Sequence, residues 1–331
     1  MSLTAGAAFF MRTRAVWKER SGSRMSAFTS EVSMTEKDGI RVFGPEDLER
    51  IPKRKADANK GTYGHVLVIA GSEGMCGAAY LSALAAYRTG AGLVRVLTPE
   101  SNRLILQILL PEAIVSTYDP GAVAAEKEEW KACLEEALNW ADVIVLGPGL
   151  GRKPYVKRLV EDVLEAAFVT LVVDADALNT IAEFPYLTGY YTENIIITPH
   201  VAEMARLVGK TAGEVAEDLT ASARDYRDVH GVTCLLKSDR SVIAGNDGSL
   251  TRTEAGTPAL AKGGTGDVLT GIIAGLICLG LGEAEAAAFG SFLHALCGRR
   301  AAEKLSVHGV LAREVAEEIP GVMRLVPGVN M

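Results

Sequence analysis

Short apolar runs alternate with helix-like segments from Ile51 onward, and this alternation restricts the chain to few folds. The runs cover residues 65–70, 93–98, 142–147, 170–174, 194–198 and 233–237. They are continuous, as in strands that are covered on both faces. Helical composition marks the segments 78–89, 122–140, 155–166, 202–207, 212–229, 268–280, 284–303 and 309–319. The pattern predicts an α/β fold with three layers, in which a mostly parallel sheet lies between helices.

The chain divides into a leader and one domain. Residues 241–253 predict a β-hairpin, because Asn246-Asp247-Gly248 is a turn signal between two short runs. No repeat and no Pro- or Ser-rich linker interrupts residues 39–331, which we interpret as a single domain. Residues 1–38 are basic and serine-rich, and we expect a disordered leader or tag, an over-long start (with Met25 or Met34 as the alternative) or a transit peptide.

Composition argues against several classes of protein. The net charge is −7 and no basic block stands out after the leader, so we expect no nucleic-acid binding. The longest apolar run, residues 268–282, is too short to span a bilayer. The five cysteines are widely spaced, which predicts reduced core residues of a cytoplasmic protein and neither a disulfide framework nor a zinc site.

Glycine-rich loops follow the first and third of these runs. "AGSEGMCGAA" (70–79) lacks the Gly-Lys-Ser/Thr ending of a Walker A loop, and "GPGLG" (147–151) lacks the full dinucleotide-binding spacing. Small residues in both loops would allow a ligand to approach the backbone, and the N-terminus of the helix that follows the first loop would offer N–H groups to an anion. A tight structural turn is the alternative interpretation of each loop.

Charged side chains follow the later strands. Asp174 and Asp176 suggest metal or sugar contacts, although Asp176 could instead cap the next helix. His200 and Glu203 are three residues apart, so they would share a helix face, where Glu203 could hold Mg²⁺ through water. Lys237 could meet a phosphate or be an exposed hairpin residue.

The segment "GGTGDVLTG" (263–271) carries the strongest signal. Its glycines permit backbone conformations that other residues resist, and successive N–H groups entering a helix form a concave anion site. Such a site suits the charge that develops in phosphoryl transfer. Asp267 would accept the proton of an attacking hydroxyl or, in the alternative interpretation, cap the helix.

These motifs, in this order and spacing, resemble the NAD(P)H-hydrate dehydratases, the carboxyl-terminal half of the bifunctional NAD(P)H-hydrate repair enzymes. The resemblance rests on "KGTYGHVLVIAGSEGMCGAA", "YRTGAGLVRVLTP", "GPGLG", "VVDADALN", "TPHVAEM", "LLKSDRSVI" and "ALAKGGTGDVLTGIIAGL", within about residues 45–322. It implies a ribokinase-like three-layer αβα fold and a lyase that uses ADP or ATP with Mg²⁺. The substrate would be the S form of hydrated NADH or NADPH, whose hydroxyl is phosphorylated before phosphate leaves. ADP is preferred here because free-standing bacterial-type members tend to use it.

The resemblance also implies roles for individual residues. Asp267 would be the base, with an anion hole formed by Gly264, Thr265 and Gly266. The hydrate would contact Ala78 or Ala79, Gly149, His200 and Asp267. The ADP site would comprise Lys237, Ser238, Asp239, Arg240, Ser241, Gly256, Thr257, Ala261, Lys262, Gly263 and Gly266. Thr257 stands where the family often has Asn, which bears on one local nucleotide contact. Glu203 would lie near Mg²⁺.

Partners follow from the same resemblance. It implies a homo-oligomer, often a tetramer, that works with a separate NAD(P)H-hydrate epimerase. Two other functions compete with the dehydratase. One is a kinase of the same fold acting on a vitamin-precursor alcohol, such as a hydroxymethylpyrimidine or a hydroxyethylthiazole. The other is a nucleotide sensor without turnover, since a fold alone does not fix a function.

Overall fold

The computed structural model describes residues 36–37, 39–54 and 57–326. Most of the predicted leader, residues 1–35 and 38, therefore lies outside the described residues. Glu36–Lys37 form a two-residue strand, β1, and the compact unit that begins at Lys37 contains the rest of the described chain.

Ten further strands form one sheet. They are β2 (Ile40–Phe43), β3 (His65–Ile69), β4 (Leu93–Pro99), β5 (Ile114–Tyr118), β6 (Val143–Leu146), β7 (Thr170–Val173), β8 (Ile195–Ile197), β9 (Thr233–Leu236), β10 (Val242–Ala244) and β11 (Leu250–Thr253). Their spatial order is β2-β11-β10-β9-β8-β7-β6-β3-β4-β5. Among the described strands β2 to β11, only β10 runs antiparallel to its neighbours, because the predicted hairpin joins it to β11. The sheet is thus mostly parallel, as predicted.

Twelve α-helices lie in the described residues. They are α1 (Cys76–Thr89), α2 (Arg103–Leu109), α3 (Pro120–Ala124), α4 (Glu128–Trp140), α5 (Tyr155–Ala166), α6 (Asp176–Glu183), α7 (Val201–Val208), α8 (Ala212–Glu217), α9 (Leu219–His230), α10 (Thr265–Cys278), α11 (Glu283–Leu305) and α12 (Ala312–Met323). Short 3₁₀ helices cover Pro45–Arg50, Lys60–Tyr63, Glu100–Asn102, Pro185–Tyr190 and Pro258–Leu260.

The continuous apolar strands bury side chains on both faces of the sheet. On one face, residues such as Leu67 and Ile144 pack with Trp130 of α4 and Leu159 of α5. On the other face, α10 contacts β3, β6 and β7, while α11 contacts β8 to β11. The predicted three-layer architecture is therefore confirmed, and it brings the N-terminus of α10 to the middle of the sheet.

The sequence prediction missed three strands and one α-helix. All six predicted strands and the hairpin are present, but β1, β2, β5 and α2 were not predicted. The strand β5 lies at the sheet edge and is only partly buried, so it lacks the continuous apolar run that identified the others. The helix α2 leaves several apolar side chains exposed and shows no clear amphipathic face.

Two predicted helices are each divided in two. The predicted helix 122–140 is interrupted at Glu126, which has a φ of 50° that a helix does not allow. The predicted helix 212–229 is interrupted at Asp218, which is extended and whose side chain accepts a hydrogen bond from the Ala221 N–H at 2.8 Å. Asp218 thereby caps α9, so a sequence with helical composition contains a helix start.

Three of the five cysteines, Cys76, Cys234 and Cys297, are buried, and Cys133 and Cys278 are partly buried. All five cysteines lie in the described part of the chain and none forms a disulfide. Burial raises the pKa of Cys76, Cys133 and Cys278, as it does for the fully buried Cys234 and Cys297. Within residues 36–37, 39–54 and 57–326, no helix combines the length and hydropathy needed to cross a bilayer.

Candidate active site

The N-terminus of α10 presents free backbone N–H groups. Gly264 precedes the helix with a φ of 90°, a conformation that glycine adopts at little cost. The N–H groups of Gly266 and Asp267 donate to no acceptor among the described residues. Because the helix dipole adds positive potential at this end, the turn is suited to binding an anion.

Asp267 lies inside the helix and does not cap it. The helix begins at Thr265, three residues earlier than predicted, which places Asp267 in the first turn. No side-chain hydrogen bond caps the helix. Burial raises the pKa of the Asp267 carboxyl to about 7, helped by the nearby negative charges of Asp174 and Asp176 and opposed by Lys237. A carboxyl with this pKa can exchange a proton near neutral pH, as a general base must.

Two hydroxyl groups hold the backbone at Asp267. The carbonyl of Asp267 accepts hydrogen bonds from Ser82 Oγ at 3.0 Å and from Thr270 Oγ1 at 2.7 Å. The two hydroxyls are themselves 3.2 Å apart, and both side chains are buried. They fix the first turn of α10 against α1.

A buried ion pair lies beside the anion site. Lys237 Nζ is 2.7 Å from Asp174 Oδ1 and 3.9 Å from Glu203 Oε2. Burial opposes the charge on Lys237, but the two carboxylates raise its pKa above the ordinary value. A methyl group on Gly266 would lie 3.4 Å from Asp174 Oδ2 and 3.5 Å from Lys237 Nζ. Lys237 is therefore neither an exposed hairpin residue nor unpaired, and it borders the space in front of α10.

His200 and Glu203 form a reciprocal cap at the start of α7. His200 Nδ1 accepts hydrogen bonds from the N–H groups of Ala202 and Glu203 at 3.1 and 3.2 Å. Glu203 Oε2 accepts from the His200 N–H at 2.8 Å. His200 thus precedes α7, whereas the sequence suggested that it shares a helix face with Glu203. Burial lowers the pKa of His200, with Lys237 and Arg206 adding to the effect and Glu203 opposing it. With Nδ1 accepting, the neutral ring carries its proton on Nε2.

Two of the residues predicted to bind the hydrate, Ala78 and Gly149, lie next to each other. A methyl group on Gly149 would lie 2.8 Å from Ala78 Cβ, so the first turn of α1 contacts the loop after β6. Ala79 is completely buried, which leaves Ala78 as the available member of the pair. The Asp176 carboxylate accepts a hydrogen bond from the Gly151 N–H at 2.8 Å and forms no cap for α6.

The segments predicted to bind ADP are also adjacent. A methyl group on Gly256 would lie 2.3 Å from the carbonyl oxygen of Asp239, which brings residues 237–241 against residues 256–263. Ser241 Oγ donates to the Ser238 carbonyl at 3.1 Å, which closes the first segment into a tight turn. Thr257 caps the 3₁₀ helix that leads toward α10. The first segment starts at Lys237, whose Nζ would lie 3.5 Å from a methyl group on Gly266, and the second ends at Gly263, three residues before Gly266.

The site contains few direct metal ligands. Among the described residues, no three His, Cys, Asp or Glu side chains form a cluster that could hold a metal ion. The Glu203 carboxylate is 6% exposed, accepts the His200 N–H and faces the ammonium group of Lys237. These contacts fit an outer carboxylate that holds a water of hydrated Mg²⁺ and leave little room for direct coordination.

Sequence reasoning missed two features of this site. Ser82 belongs to no motif, and although Thr270 lies within residues 263–271, no local pattern predicts that the two hydroxyls meet at the Asp267 carbonyl. His294 of α11 is buried and interacts with the backbone of Thr265, and burial lowers its pKa to about 4, with Lys237 adding to the effect. Its position inside an alanine-rich helix gives no signal of a contact with α10.

Comparison with known proteins identifies the family. Residues 66–321 match the family model described as NAD(P)H-hydrate dehydratase. The chain is 40% identical over 276 residues to a bifunctional NAD(P)H-hydrate repair enzyme, Nnr, of Moorella thermoacetica, matching 83% of this chain and 52% of that protein. The chain thus spans about half the length of such bifunctional relatives. It is 34% identical to an ADP-dependent (S)-NAD(P)H-hydrate dehydratase of Bacillus subtilis, matching 83% of this chain and 94% of the relative.

Solved structures with a similar fold support the same family assignment. An ADP/ATP-dependent NAD(P)H-hydrate dehydratase of Bacillus subtilis, co-crystallised with ATP and Mg²⁺, has a TM-score of 0.73 and 29% identity, covering 87% of this chain and 99% of that one. A ribokinase-like superfamily protein of Enterococcus faecalis has a TM-score of 0.76 and 28% identity, covering 88% and 98%. With the matched domain, the helix that carries Asp267 and the adjacent glycine loop all in place, the chain belongs to the NAD(P)H-hydrate dehydratase family.

Proposed function

We propose that this protein catalyses the ADP-dependent dehydration of the S epimer of NAD(P)H hydrate, which returns NAD(P)H and releases AMP and phosphate. The observation that carries the proposal is Asp267, a carboxyl with a pKa of about 7 next to free N–H groups at the start of α10. A base and an anion site at one helix end are what phosphoryl transfer to a hydroxyl requires.

In the first step, the hydrate hydroxyl attacks the terminal phosphorus of ADP. The new bond joins the hydroxyl oxygen to phosphorus, the bond to the AMP oxygen breaks, and Asp267 takes the hydroxyl proton. The N–H groups of Gly266 and Asp267 would stabilise the negative charge on the transferred group, because they are oriented before the reaction begins. Lys237 lies at the same place and adds positive charge, which Asp174 holds in position.

In the second step, phosphate leaves the substrate and the ring double bond returns. Phosphorylation turns a poor leaving group into a good one, and the ring nitrogen supplies the electron pair that expels it. The neighbouring ring carbon then loses a proton to the released phosphate or to water, and the electron pair of that C–H bond restores the ring double bond. The ring itself drives this step, so the protein needs only to keep the substrate in place, and Ala78 of α1 and Gly149 of the loop after β6 would contact it.

Nucleotide binding would use the two adjacent loops at residues 237–241 and 256–263. The Bacillus subtilis neighbour was co-crystallised with ATP and Mg²⁺, which supports a nucleotide and magnesium here. When bound, Mg²⁺ would supply positive charge to the phosphates. Glu203 would contact it through water, so Glu203→Gln should raise the Mg²⁺ concentration needed for half-maximal rate without changing the fold.

The decisive experiment replaces Asp267. Purified protein with NADH hydrate, Mg²⁺ and ADP should regain the absorbance of the reduced nicotinamide. Asp267→Asn should lower kcat by about 10²- to 10⁴-fold, the range of a general base, while ADP affinity stays within a few-fold of wild type. Asp225→Asn, at an exposed carboxylate on α9, is the matched control and should retain full activity.

Other outcomes would contradict the proposal or support one of the alternatives. Near-normal turnover by Asp267→Asn would show that Asp267 is not the base. No recovery of NADH with either ADP or ATP would contradict the dehydratase function. ATP consumption with a hydroxymethylpyrimidine or a hydroxyethylthiazole, and none with the hydrate, would support the kinase alternative. Nucleotide binding without any turnover would support a sensor.

The partners are proposed on the same basis. The bifunctional relatives are named as repair enzymes, and the S epimer must be renewed from the R epimer, so we expect this protein to act together with an NAD(P)H-hydrate epimerase. We also expect a homo-oligomer, such as a tetramer. A coupled assay in which epimerase addition raises the yield of NADH from mixed epimers tests the first expectation.

A further inference from the structure

The helix α11 packs along the segment that leads from β11 to α10. Near its middle, Ser291 Oγ lies 2.9 Å from Thr253 Oγ1, and both side chains are buried. Two turns further on, a methyl group on Gly298 would lie 2.6 Å from Leu260 Cδ2, so helix and segment touch directly. The helix therefore supports a segment that includes part of the predicted ADP site.

Arg299 of the same helix binds two successive backbone carbonyls of this segment. Its Nε donates to the Ala255 carbonyl at 2.6 Å, and its Nη2 donates to the Gly256 carbonyl at 3.2 Å. Burial lowers the pKa of Arg299, with Glu303 opposing the effect, so the guanidinium is partly withdrawn from water. Hydrogen bonds are stronger in such surroundings, and the planar guanidinium can serve two acceptors at once.

These two bonds orient two peptide groups. The described chain contains no cis peptide bond, and a trans peptide group directs its N–H opposite to its C=O. Because the carbonyls of Ala255 and Gly256 face Arg299, the N–H groups of Gly256 and Thr257 point away from it. Neither N–H donates to an acceptor among the residues that the structure describes. The loop thus presents two oriented donors that a ligand can use.

Glycine at position 256 makes this orientation depend on Arg299. A side chain at this position would collide with the Asp239 carbonyl oxygen, which would lie 2.3 Å from a methyl group. Glycine avoids the collision but permits several orientations of the peptide groups on either side of it. The bonds from Arg299 select one of these orientations, so their loss would leave the chain in place and the donors less well directed.

We propose that Arg299 is a positioning residue for nucleotide binding, which holds the N–H groups of Gly256 and Thr257 in the direction from which ADP reaches them. Arg299 acts through the backbone and need not touch ADP. The inference rests on the proposed function for the identity of the nucleotide. It extends that function to a residue of α11, outside the segments 237–241 and 256–263. ADP affinity, and not the chemical step, is what depends on Arg299.

Calorimetric binding of ADP with Mg²⁺, in the absence of the hydrate, tests the proposal. Arg299→Ala should raise the dissociation constant for ADP about tenfold or more, because two hydrogen bonds from a charged donor no longer orient the loop. Arg299→Lys should raise it less, because an ammonium group can still serve one carbonyl. Arg224→Ala is the matched control, since Arg224 is partly exposed on α9 and pairs with the adjacent Asp225. The control should keep the wild-type affinity.

Two further measurements separate positioning from a general structural role. Guanidinium ions, at a concentration that leaves the wild type folded, should restore ADP affinity to Arg299→Ala, because they can occupy the vacated place between helix and loop. Sodium chloride at the same concentration should not. In the turnover assay, Arg299→Ala should raise KM for ADP and leave KM for NADH hydrate and kcat at saturating ADP close to wild type.

Several outcomes would overturn the inference. They are a dissociation constant for Arg299→Ala within about twofold of wild type, a restoration that sodium chloride matches, an equal rise of both KM values, and a wild type that does not bind ADP. Unchanged ADP affinity in Arg299→Ala, beside full turnover by wild type, would contradict this inference alone. ADP binding that depends on Arg299, in a protein without turnover, would support it while contradicting the dehydratase function.

Discussion

Asp267 combines a raised pKa with a fixed position, and each has a separate cause. The pKa is raised because the side chain is mostly buried and faces the negative charges of Asp174 and Asp176. The position is fixed because Ser82 and Thr270 hold the Asp267 carbonyl. Lys237 is close enough to lower the pKa, yet it is bonded to Asp174 and does not neutralise Asp267. The carboxylate is thus kept as an acceptor for a proton.

The pH dependence of the rate should report this carboxyl. The proton acceptor is the ionised form, so we expect kcat to fall tenfold for each pH unit below about 7 and to level off above it. Asp174→Asn removes a like charge and releases Lys237, and both changes lower the pKa of Asp267. The acidic limb of the profile should therefore move to lower pH in this variant, as measured by kcat across a buffer series. A limb that stays in place, or moves to higher pH, would contradict the assignment.

The same raised pKa predicts that Asp267 costs stability. The folded state binds this proton more tightly than the unfolded state, whose carboxyl has a pKa near 3.8. The contribution of Asp267 to the free energy of unfolding therefore decreases as the pH rises from about 4 to 7, and above 7 this stabilisation is absent. At about 1.4 kcal/mol per pKa unit, the upper bound is about 4 kcal/mol. We expect Asp267→Asn to raise Tm at about pH 8 and to leave it nearly unchanged at about pH 4. A lower Tm at the higher pH would show that the carboxylate stabilises the fold.

At the scale of the element, Gly264 and Gly266 determine the stability and the anion binding of the N-terminus of α10. A methyl group on Gly266 would make only ordinary contacts with Asp174 and Lys237, whereas one on Gly264 would lie 2.7 Å from Leu81 and require a strained φ of 90°. Gly266→Ala should keep the wild-type Tm and lose activity, because the methyl group occupies the space in front of the anion site. Gly264→Ala should lower both. Thermal unfolding and turnover of the pair distinguish a binding defect from a folding defect, and equal losses in Tm would contradict this reasoning.

Close packing of the middle of α10 against α1 holds the N-terminus of α10 in place. A methyl group on Gly271 would lie 2.1 Å from the Ser82 carbonyl oxygen, and one on Gly275 would lie 2.6 Å from Thr89. The two glycines, one turn apart, let α10 pack directly against α1. Overpacking at Gly271 by alanine should cost about 1–3 kcal/mol of unfolding free energy and displace Asp267 with the helix. Denaturant unfolding measures the first effect, and an unchanged free energy would show that the helices separate easily.

How much of the fold and of the candidate site the sequence predicts depends on the kind of interaction involved. The strands around Leu67 and Ile144 were predictable because burial on both faces leaves a continuous apolar run. The choice between cap and base for Asp267 depended on whether the helix starts at residue 265 or 268, and boundaries of that kind are set by tertiary contacts such as the Ser82 hydroxyl. The pair of Asp174 and Lys237 joins residues far apart in sequence and needs the strand order, which no local pattern contains.

At the scale of the whole molecule, exposed apolar side chains concentrate at one edge of the sheet. Leu104, Ile105, Ile108 and Leu109 of α2 are each at least 45% exposed, and Ile114 of the edge strand β5 lies next to them in sequence. Contiguous apolar surface of this kind is rare on monomers and marks interfaces. The proposed homo-oligomer would bury it against a second copy of the chain.

Light scattering after size-exclusion chromatography checks this expectation. We expect wild type to elute as an oligomer and Ile108→Lys to elute at a smaller mass, because a charge buried at an apolar interface without a partner is costly. Phe168→Lys is the matched control, since Phe168 is 89% exposed and stands apart from this edge. The control should keep the wild-type mass. A monomeric wild type would contradict self-association, and an oligomer that Ile108→Lys leaves intact would place the contact elsewhere on the surface.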